Sequence, residues 1–406
     1  MTEQTNIADR LRELGQQNYL ETRSFRRALH QIPELGEDLP QTRAYVLSVL
    51  EEIGVRYQPN VGNNGIVALV EGAAPGPCVA YRADMDALPI DEQNSLPYRS
   101  THPGQMHACG HDAHTALALG TLKLLHSTRD SWNGCVKFIF QTAEETSGGA
   151  KPMIEAGALE NPDVSLIVGS HVWPALPTGS IGVKPGDLMA GTDILTFHIQ
   201  GRGGHAGRPH EAKNPLIAAA KLINEVEAIK NYDVNAMDTV VISLCSIHAG
   251  QANNVIPDDL TMLGTVRYFD TAVQKLVHKR LRAICEALSN LYEVEVSLHI
   301  KENFGPTLNH PALTAEIASY MAEDGVFTPV SNITPSMGAE DFGVFAATVP
   351  GVFLLLGVGN EEVGSVYEPH HPRFAIDEEV FRSAPAFIGR LLLHLLAQLE
   401  AGERFE

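Results

Sequence analysis

The chain has 406 residues, of which 44% are hydrophobic and 19% charged, and its formal net charge is -20. This length predicts about two or three domains, and the composition is typical of a soluble globular protein. The negative charge repels phosphate backbones and anionic membrane surfaces, so we expect neither nucleic acid nor a membrane as a partner. The longest apolar run, Val352 to Val358, is too short to cross a membrane, and the first residues do not resemble a secretory signal. We therefore expect a cytoplasmic protein.

The first half of the chain alternates between helix and strand patterns. Its second helix is stopped by Gly54 in the manner of a helix C-cap, and short apolar runs bounded by Gly and Pro are typical of buried strands. The alternation predicts an α/β fold, a mostly parallel sheet covered by helices on both faces. The predicted elements are helices Ile7 to Leu20 and Leu39 to Ile53, strands Gly65 to Val70 and Cys78 to Tyr81, helix Ala113 to Leu125, and strands Val136 to Gln141 and Leu166 to Gly169.

The pattern changes near Gly186 to a βαββαβ series, which predicts a separate, smaller α+β unit. Its elements are strand Ile194 to Gln200, helix Asn214 to Ile229, strands Thr239 to Ser246 and Asp259 to Phe269, helix Thr271 to Leu291 and strand Glu293 to His299. The α/β pattern then resumes with a helix opened by Asn309 and Pro311, a strand Val352 to Leu356 and a closing helix Glu378 to Leu399. We expect a larger domain of residues 1–186 and 302–406, with a smaller domain inserted at 187–301.

Three histidines, a thiol and a carboxylate fall between Met106 and His114. Cys109 and His111 would diverge on a helix, so they can share one metal only from a loop or extended turn, and the intervening glycine fits that geometry. His111 and His114 fall on the next helix, which Asp112 could cap. A thiolate with imidazoles suits zinc, manganese or a similar divalent ion.

The chain has five cysteines, and their spacing is unpaired, which favours reduced thiols over a disulfide framework. They are Cys78, Cys109, Cys135, Cys245 and Cys285.

Pairs of carboxylates follow two of the predicted strands. Asp84 and Asp86 either lie in a solvated turn, or one of them orients a metal-binding histidine by a hydrogen bond to its imidazole. Asp86 is the better candidate for the second role. Glu144 and Glu145 would ordinarily be a solvated loop. Their nearness in sequence to the Cys-His cluster instead favours metal-assisted amide hydrolysis, where one carboxylate binds metal and another moves a proton.

Further histidines stand at places where active sites form. His171 follows a predicted strand, although a lone histidine is more often an ordinary hydrogen-bonded residue. His370 and His371 lie between prolines in what could be a surface turn.

Three residues of the predicted insert could bind a ligand. His205 lies in a glycine-rich loop that lacks the features of a phosphate cradle. Asn254 and Arg267 have an amide and a guanidinium suited to a carboxylate, although each alone is more often structural.

These motifs together resemble the metal-dependent amidohydrolase family of hippurate hydrolases, N-acyl-amino-acid amidohydrolases and auxin-conjugate hydrolases, which is related to aminoacylase and glutamate carboxypeptidase. The resemblance runs from Leu29 to the last helix, and the Cys-Gly-His-Asp-Ala-His string is its most specific part. The motifs are Asp84-Met85-Asp86, His107 to His114, Glu144-Glu145, His171, Gly204-His205, Asn254-Val255-Ile256-Pro257, Gly338-Ala339-Glu340-Asp341-Phe342 and His370-His371-Pro372.

The resemblance implies a metal site with one or two divalent ions per subunit, manganese or zinc, with cobalt or nickel as alternatives. It makes Glu144 the general acid and base. From their positions in the sequence, we expect Asp86 and His114 to support the ligands rather than to bind metal. The implied ligands are Cys109, His111, Glu145, His171 and His370. The chain departs from the family pattern around His370, which leaves His371 as an alternative ligand, and at Ala375, where the family often has Asp.

The resemblance also implies a role for the insert as a lid and dimerisation domain, and hence a homodimer or dimer-based oligomer. His205 would polarise the scissile carbonyl, commonly across the dimer, while Asn254 and Arg267 would help to bind substrate.

The implied activity is hydrolysis of N-acyl or N-aroyl amino acids to a carboxylic acid and a free amino acid. A dipeptidase, carboxypeptidase or N-acetyl-diaminopimelate deacetylase on the same scaffold is the first alternative. A hydrolase with Cys109 as nucleophile and a non-catalytic metal-binding protein are the others.

Overall fold

The computed structural model describes residues 2–146 and 148–405. The chain divides into two compact units. The first unit comprises Met1–Leu188, Leu308–Thr334 and Asp341–Glu406, and the second Met189–Thr307 and Pro335–Glu340. The predicted division into one domain of residues 1–186 and 302–406 and a second domain of residues 187–301 stays a prediction.

Nine helices occur in the described part of the chain. They are α1 (Thr2–His30), α2 (Pro40–Ile53), α3 (His111–Ser127), α4 (Ala150–Glu155), α5 (Pro215–Tyr232), α6 (Thr271–Tyr292), α7 (Pro311–Asp324), α8 (Phe342–Ala346) and α9 (Ala384–Glu400). None of the described helices has both the length and the apolar character that a membrane crossing requires.

The strands are β1 (Arg56–Val61), β2 (Gly65–Glu71), β3 (Cys78–Asp84), β4 (Cys135–Gln141), β5 (Leu166–Pro177), β6 (Ser180–Gly182), β7 (Gly186–Met189), β8 (Gly191–Gln200), β9 (Gly204–His205), β10 (Val240–Ala249), β11 (Val255–Ile256), β12 (Asp259–Tyr268), β13 (Glu295–Phe304), β14 (Thr307–Asn309), β15 (Thr328–Val330) and β16 (Gly351–Gly359). Eight of these strands, all in the first unit, form one sheet in the order β1-β2-β4-β3-β5-β16-β6-β15.

The centre of this sheet, from β4 through β3 and β5 to β16, is parallel. Strands β3 and β4 are buried at every position, as expected of parallel strands covered on both faces. Helices α1, α3 and α9 pack against one another beside the sheet and share its apolar core. The predicted α/β class is confirmed. Because parallel strands end at one edge, Asp84 at the end of β3 lies beside Gln141 at the end of β4.

The second unit has a four-stranded antiparallel sheet in the order β10-β12-β8-β13. Strand β12 alternates buried with more exposed residues, so only one of its faces lies against the core. Helices α5 and α6 pack on that sheet and on each other. The predicted smaller α+β unit is confirmed, and the structure shows that its sheet is antiparallel, with two short strands, β9 and β11, added to the βαββαβ series.

Two predicted details are wrong. The closing helix is not continuous from Glu378, because Glu378–Arg382 is a 3-10 turn and α9 starts only at Ala384. Pro385 explains the break, since it has no N–H to donate to a carbonyl of the preceding turn and is tolerated only in the first turn of a helix. The helix α7 is capped by His310 rather than by Asn309, whose side chain bonds Phe353 and Lys184 instead.

Candidate active site

The loop before α3 places Cys109 and His111 side by side. Gly110, between them, has a φ of 89° and precedes the first helical residue, His111. A Cβ at Gly110 would lie 2.4 Å from Val172 Cγ2, so only glycine fits this close approach. The turn lets the Cys109 thiol and the His111 ring face the same space, as the sequence analysis expected.

Six predicted site residues, the five predicted ligands and Glu144, lie together in the first unit. Their donor atoms form three overlapping groups, within each of which all donors lie within 4.8 Å of one another. The groups are Cys109 with His111 and His171, Cys109 with Glu145 and His370, and His111 with Glu144 and Glu145. Four segments of the chain, distant in sequence, therefore converge on one cluster of soft and hard donors.

His111 is the most unusual member of this cluster. It is 1% exposed, yet neither of its ring nitrogens makes a hydrogen bond among the described residues. Burial alone would lower the pKa of His111, but the surrounding carboxylates of Asp84, Asp86 and Glu145 outweigh it and raise the pKa to about 10. Buried polar atoms without partners are rare, and carboxylates arranged around an imidazole attract a cation.

Asp86 organises the acidic side of the cluster. Its two carboxylate oxygens accept the backbone N–H groups of Glu144 and Glu145, each at 3.1 Å. Its Oδ1 also lies 3.4 Å from His111 Nδ1. A single buried carboxylate thus fixes the turn that carries both glutamates and contacts the neighbouring imidazole.

Replacing Asp86 with alanine should weaken divalent-metal affinity by about 10- to 100-fold, because two buried N–H groups lose their acceptor and the Glu144-Glu145 turn loosens. Competition with a metal-sensitive chelator measures the change. The matched control is Asp91→Ala, because Asp91 is exposed and should leave the affinity unchanged. An unaltered affinity in the Asp86 variant would refute the supporting role.

His171 presents one unprotonated nitrogen to the cluster. Its Nδ1–H donates to Val172 O at 2.7 Å, and its Nε2 lies 3.3 Å from Cys109 Sγ. Burial and the neighbouring His114 lower the pKa of His171 to about 3, so the ring is neutral. A metal-binding histidine typically has its second nitrogen held by a carbonyl or carboxylate in this way.

His114 lies behind the cluster rather than in it. Its Nε2 accepts the Val172 N–H at 2.9 Å, so its proton is on Nδ1 and is donated to Asp84 Oδ1 at 2.6 Å. Asp84 Oδ2 also bonds Arg82 and stands 3.7 Å from His111 Nε2. We expected Asp86 to be the supporting carboxylate, but Asp84 also contacts these imidazoles.

His370 and His371 have different surroundings. The His370 N–H donates to Ala108 O at 2.8 Å, and its Nε2 lies 3.2 Å from Glu145 Oε1. His371 instead stacks on Tyr367 at 4.3 Å, and its Nδ1 accepts the Arg373 N–H. Only the ring of His370 thus faces the donor cluster. It is also the exposed member, with 54% of its side-chain surface accessible.

Cys109 is buried, and its thiol is held in its neutral form. Burial first, and then the negative charges of Glu145 and Glu144, raise the pKa of Cys109 well above its ordinary value. The thiol releases its proton readily only when a positive charge is near.

The remaining predicted residues lie in the second unit. His205 and Asn254 are adjacent, because β9 pairs with β11 and the Ala206 N–H donates to Asn254 O at 3.1 Å. The His205 Nδ1 accepts the Gly207 N–H. Arg267 lies on β12, partly buried, and burial lowers its pKa.

Asp112 does not cap α3, so that prediction is wrong. Its carboxylate is fully buried and accepts from Arg26 Nε at 2.7 Å, and its Oδ2 lies 2.7 Å from His30 Nδ1. Helix α3 has no side-chain cap at Gly110. An acidic residue in the first turn of a helix can serve tertiary pairing as well as capping, and here α1 supplies the partners.

Two buried residues near the site had weak signals in the sequence. Arg82 is 1% exposed in the middle of β3 and joins Asp84 to Asp341. Asp341 also accepts from Gln141 and from the Ala150 N–H, so it ties the loop after β4 to the sheet. A charged residue inside an otherwise apolar strand is the signal that could have identified Arg82.

Comparison with known proteins gives this cluster its context. Residues 80–394 match the model of peptidase family M20/M25/M40. The N-acetyl-L-cysteine deacetylase of Bacillus subtilis strain 168 is 37% identical over 366 residues, covering 90% of this chain and 85% of the relative. Thermostable carboxypeptidase 1 of Saccharolobus solfataricus is 35% identical, covering 92% of this chain and 93% of the relative.

A solved structure agrees with these matches. The crystal structure of a Bacillus subtilis protein described as a dinuclear metal binding peptidase from the M20 family superposes with a TM-score of 0.80 at 34% identity, covering 93% of this chain and 98% of that one. The family membership expected from the sequence motifs is confirmed. The chain belongs to peptidase family M20/M25/M40, whose members are metallohydrolases that cleave amide bonds.

Proposed function

We propose that the protein hydrolyses the amide bond of N-acyl amino acids, including N-aroyl amino acids such as hippurate, to a carboxylic acid and a free amino acid. The observation that carries the proposal is the buried donor cluster with Glu144 among its members. The 37% identity to an N-acetyl-L-cysteine deacetylase supports the substrate class.

The proposed ligands of one or two divalent ions are Cys109, His111, Glu145, His171 and His370. Three observations fit such an ion: the two nitrogens of His111 without a hydrogen bond, the buried Glu145 Oε1 without a hydrogen bond, and the unprotonated Nε2 of His171, which faces Cys109 Sγ at 3.3 Å. A bound Mn²⁺ or Zn²⁺, or Co²⁺ or Ni²⁺ in their place, would act as a Lewis acid toward water and the scissile carbonyl.

In this proposal Glu144 moves the proton. Its neighbour Glu145 faces His111 and His370, while the backbone of both glutamates is fixed by Asp86. A fixed turn lets adjacent side chains divide the tasks of ligand and base. Glu144 takes a proton from the attacking water and delivers it to the leaving nitrogen, as a general base that becomes a general acid.

For residues of the second unit we propose the roles that the resemblance implies. His205 polarises the carbonyl of the substrate, and Asn254 and Arg267 bind its carboxylate. A homodimer or dimer-based oligomer is part of the proposal, and sedimentation of the purified protein tests it. Amidation of the substrate carboxylate should abolish turnover if the carboxylate is recognised.

The rival in which Cys109 is the nucleophile fits the site less well. A cysteine nucleophile needs a thiolate and a base that can accept its proton. Burial and nearby carboxylates raise the pKa of Cys109, and the carboxylates around His111 raise the pKa of that histidine to about 10. In the metal-free site His111 is therefore already an imidazolium, with both ring nitrogens protonated, and it has no nitrogen free to accept the proton of Cys109.

Treatment with a chelator distinguishes metal-dependent hydrolysis from hydrolysis by a Cys109 nucleophile. We expect a strong chelator to lower amide hydrolysis by at least about a hundred-fold, and added Mn²⁺ or Zn²⁺ to restore it. Thiol alkylation of the metal-loaded protein should leave the activity nearly intact. Resistance to chelation together with loss on alkylation would contradict the metal proposal.

A substrate panel then tests the bond and the acyl group. The panel contains hippurate, N-acetyl amino acids including N-acetylcysteine and N-acetyl-diaminopimelate, indoleacetyl-aspartate and dipeptides. Faster turnover of N-acyl and N-aroyl amino acids than of dipeptides is the expected result. The opposite order would favour a dipeptidase or carboxypeptidase, and no turnover on any amide would revive a non-catalytic metal-binding protein.

A further inference from the structure

The residue before the two site glutamates has a strained backbone. Among the described residues, five that are not glycine have a positive φ, the left-handed conformation that a Cβ disfavours. Asparagine and histidine adopt it more readily than other types, which accounts for Asn64, Asn161 and His370, while Glu293 ends helix α6. Ala143, with a φ of 60°, has neither explanation.

Hydrogen bonds hold Ala143 in this conformation. The residue is fully buried, and its N–H donates to Gly36 O at 3.0 Å. Its carbonyl accepts the Gly148 N–H, also at 3.0 Å. Strained backbone persists only where the surroundings over-determine it, and such residues concentrate at functional sites. Ala143 is therefore a candidate for a role in the neighbouring site.

The turn at Ala143 sets the direction of both glutamates. Ala143 lies two residues after the end of β4, and the next two N–H groups, of Glu144 and Glu145, both donate to Asp86 at 3.1 Å. Successive N–H groups of an extended strand point to opposite sides, so they can share one carboxylate only where the chain turns. The left-handed residue supplies this turn.

His370 holds the other side of the cluster in place. Its N–H donates to Ala108 O at 2.8 Å, directly before Cys109, and its Nε2 lies 3.2 Å from Glu145 Oε1. The contact between Glu145 and His370 thus joins two segments whose backbones are each fixed by a left-handed residue with a bonded N–H. A rotation at Ala143 would move Glu145 away from this partner.

We propose that Ala143 is a positioning residue, whose left-handed backbone directs the Glu144 carboxylate at the attacking water and the Glu145 carboxylate at the metal. This inference rests on the function proposed above. The Cβ of Ala143 is the group that acts. For a residue with a Cβ the left-handed region is a small part of φ/ψ space, whereas glycine also occupies the space around it. The methyl group therefore limits how far the turn can rotate.

Replacing Ala143 with glycine tests this role. The variant keeps both backbone hydrogen bonds and removes only the Cβ. We expect kcat for an N-acyl amino acid at saturating metal to fall by about ten- to a hundred-fold, with KM within about two-fold of the wild type, because a small misplacement of a reacting group lowers the rate strongly. Steady-state kinetics measure both constants.

Two further measurements on the glycine variant do not depend on turnover. Its affinity for Mn²⁺, measured in competition with a chelator, should fall by about ten-fold, because the turn that carries Glu145 is less well fixed. The urea midpoint of the metal-free protein should stay near the wild-type value, because the relieved strain offsets the lost packing of one methyl group. A residue with a purely structural role would not separate these properties.

Two variants serve as comparisons. Ala143→Ser keeps a Cβ and hence the narrow range of backbone angles, so its kcat should stay within about three-fold of the wild type. Glu293→Gly is the matched control, because it relaxes the left-handed residue at the end of α6, in the second unit. Its kcat and its affinity for Mn²⁺ should both be unchanged.

The proposal is overturned if Ala143→Gly has the kcat and the Mn²⁺ affinity of the wild type, or if the serine and glycine variants lose equal activity. A urea midpoint that falls together with kcat would also overturn it, because Ala143 would then only support the fold. If the wild type hydrolyses no amide of the substrate panel, the proposed function fails, and the Mn²⁺ affinities still decide whether Ala143 positions Glu145.

Discussion

Replacing Glu144 with glutamine should lower the turnover of an N-acyl amino acid by about two to four orders of magnitude, the contribution expected of a general acid and base. Glutamine keeps the size of the side chain and the backbone bond to Asp86, but it cannot accept and return a proton. Metal content and the midpoint of thermal unfolding should stay at the wild-type values. Steady-state kinetics with metal analysis of the same samples provide the measurement.

The control for this variant is Glu155→Gln. Glu155 lies at the end of α4 with 65% of its side chain exposed, so its substitution should change turnover by less than two-fold. Turnover close to that of the wild type in the Glu144 variant would remove Glu144 as the base. A loss of activity accompanied by a loss of metal would show that Glu144 is a ligand instead.

Replacing Arg26 with methionine should lower the free energy of unfolding by about 3–5 kcal/mol, because the change leaves a buried carboxylate without its cationic partner. Arg26 is 1% exposed and bonds Asp112, Glu378 and Tyr98. Urea denaturation followed by circular dichroism measures the loss. Arg10→Met is the control, because Arg10 forms an exposed ion pair with Glu13, and such pairs contribute less than about 1 kcal/mol.

The same ion pair predicts a dependence on pH. Burial alone would raise the pKa of Asp112, but Arg26 and His30 outweigh it and hold the pKa well below the ordinary range. A group with a lowered folded-state pKa stabilises the fold above its unfolded pKa, about 3.9 for Asp, and loses that contribution as the pH falls through the folded pKa. The stability difference between wild type and Arg26→Met should stay constant near neutral pH and shrink only in acid. A difference that grows in acid would contradict the pairing.

Local signals in the sequence were enough to predict most of the fold. Gly54 adopts the left-handed conformation that ends α2, and apolar runs without alternation predicted the buried parallel strands. The errors arose where tertiary contacts override local preference. Asp112 has the residue type and position of a helix-start carboxylate, yet its partner is Arg26, 86 residues away in sequence. No local pattern reports such a pairing.

The sequence predicted which residues form the candidate site, but it predicted less well which carboxylates hold the imidazoles in place. The structure brings Cys109, His111 and Glu145 together, as the motif spacing and the family resemblance suggested, although their roles as ligands stay a prediction. The support by Asp84 was missed, because two acids separated by one residue look alike in sequence and only the sheet register shows that both reach the imidazoles.

The position of β16 has a consequence for how the chain is made. This strand lies between β5 and β6 in the middle of the large sheet, yet it comes from residues 351–359, near the end of the chain. A ribosome finishes β5, β6 and the whole stretch 189–307 before β16 exists, so the edges of β5 and β6 that β16 later pairs with stay open until late in synthesis. Unpaired strand edges invite association with other chains. The step at which this protein is most exposed to aggregation is therefore a late one, and chains terminated before residue 351 should accumulate as insoluble material.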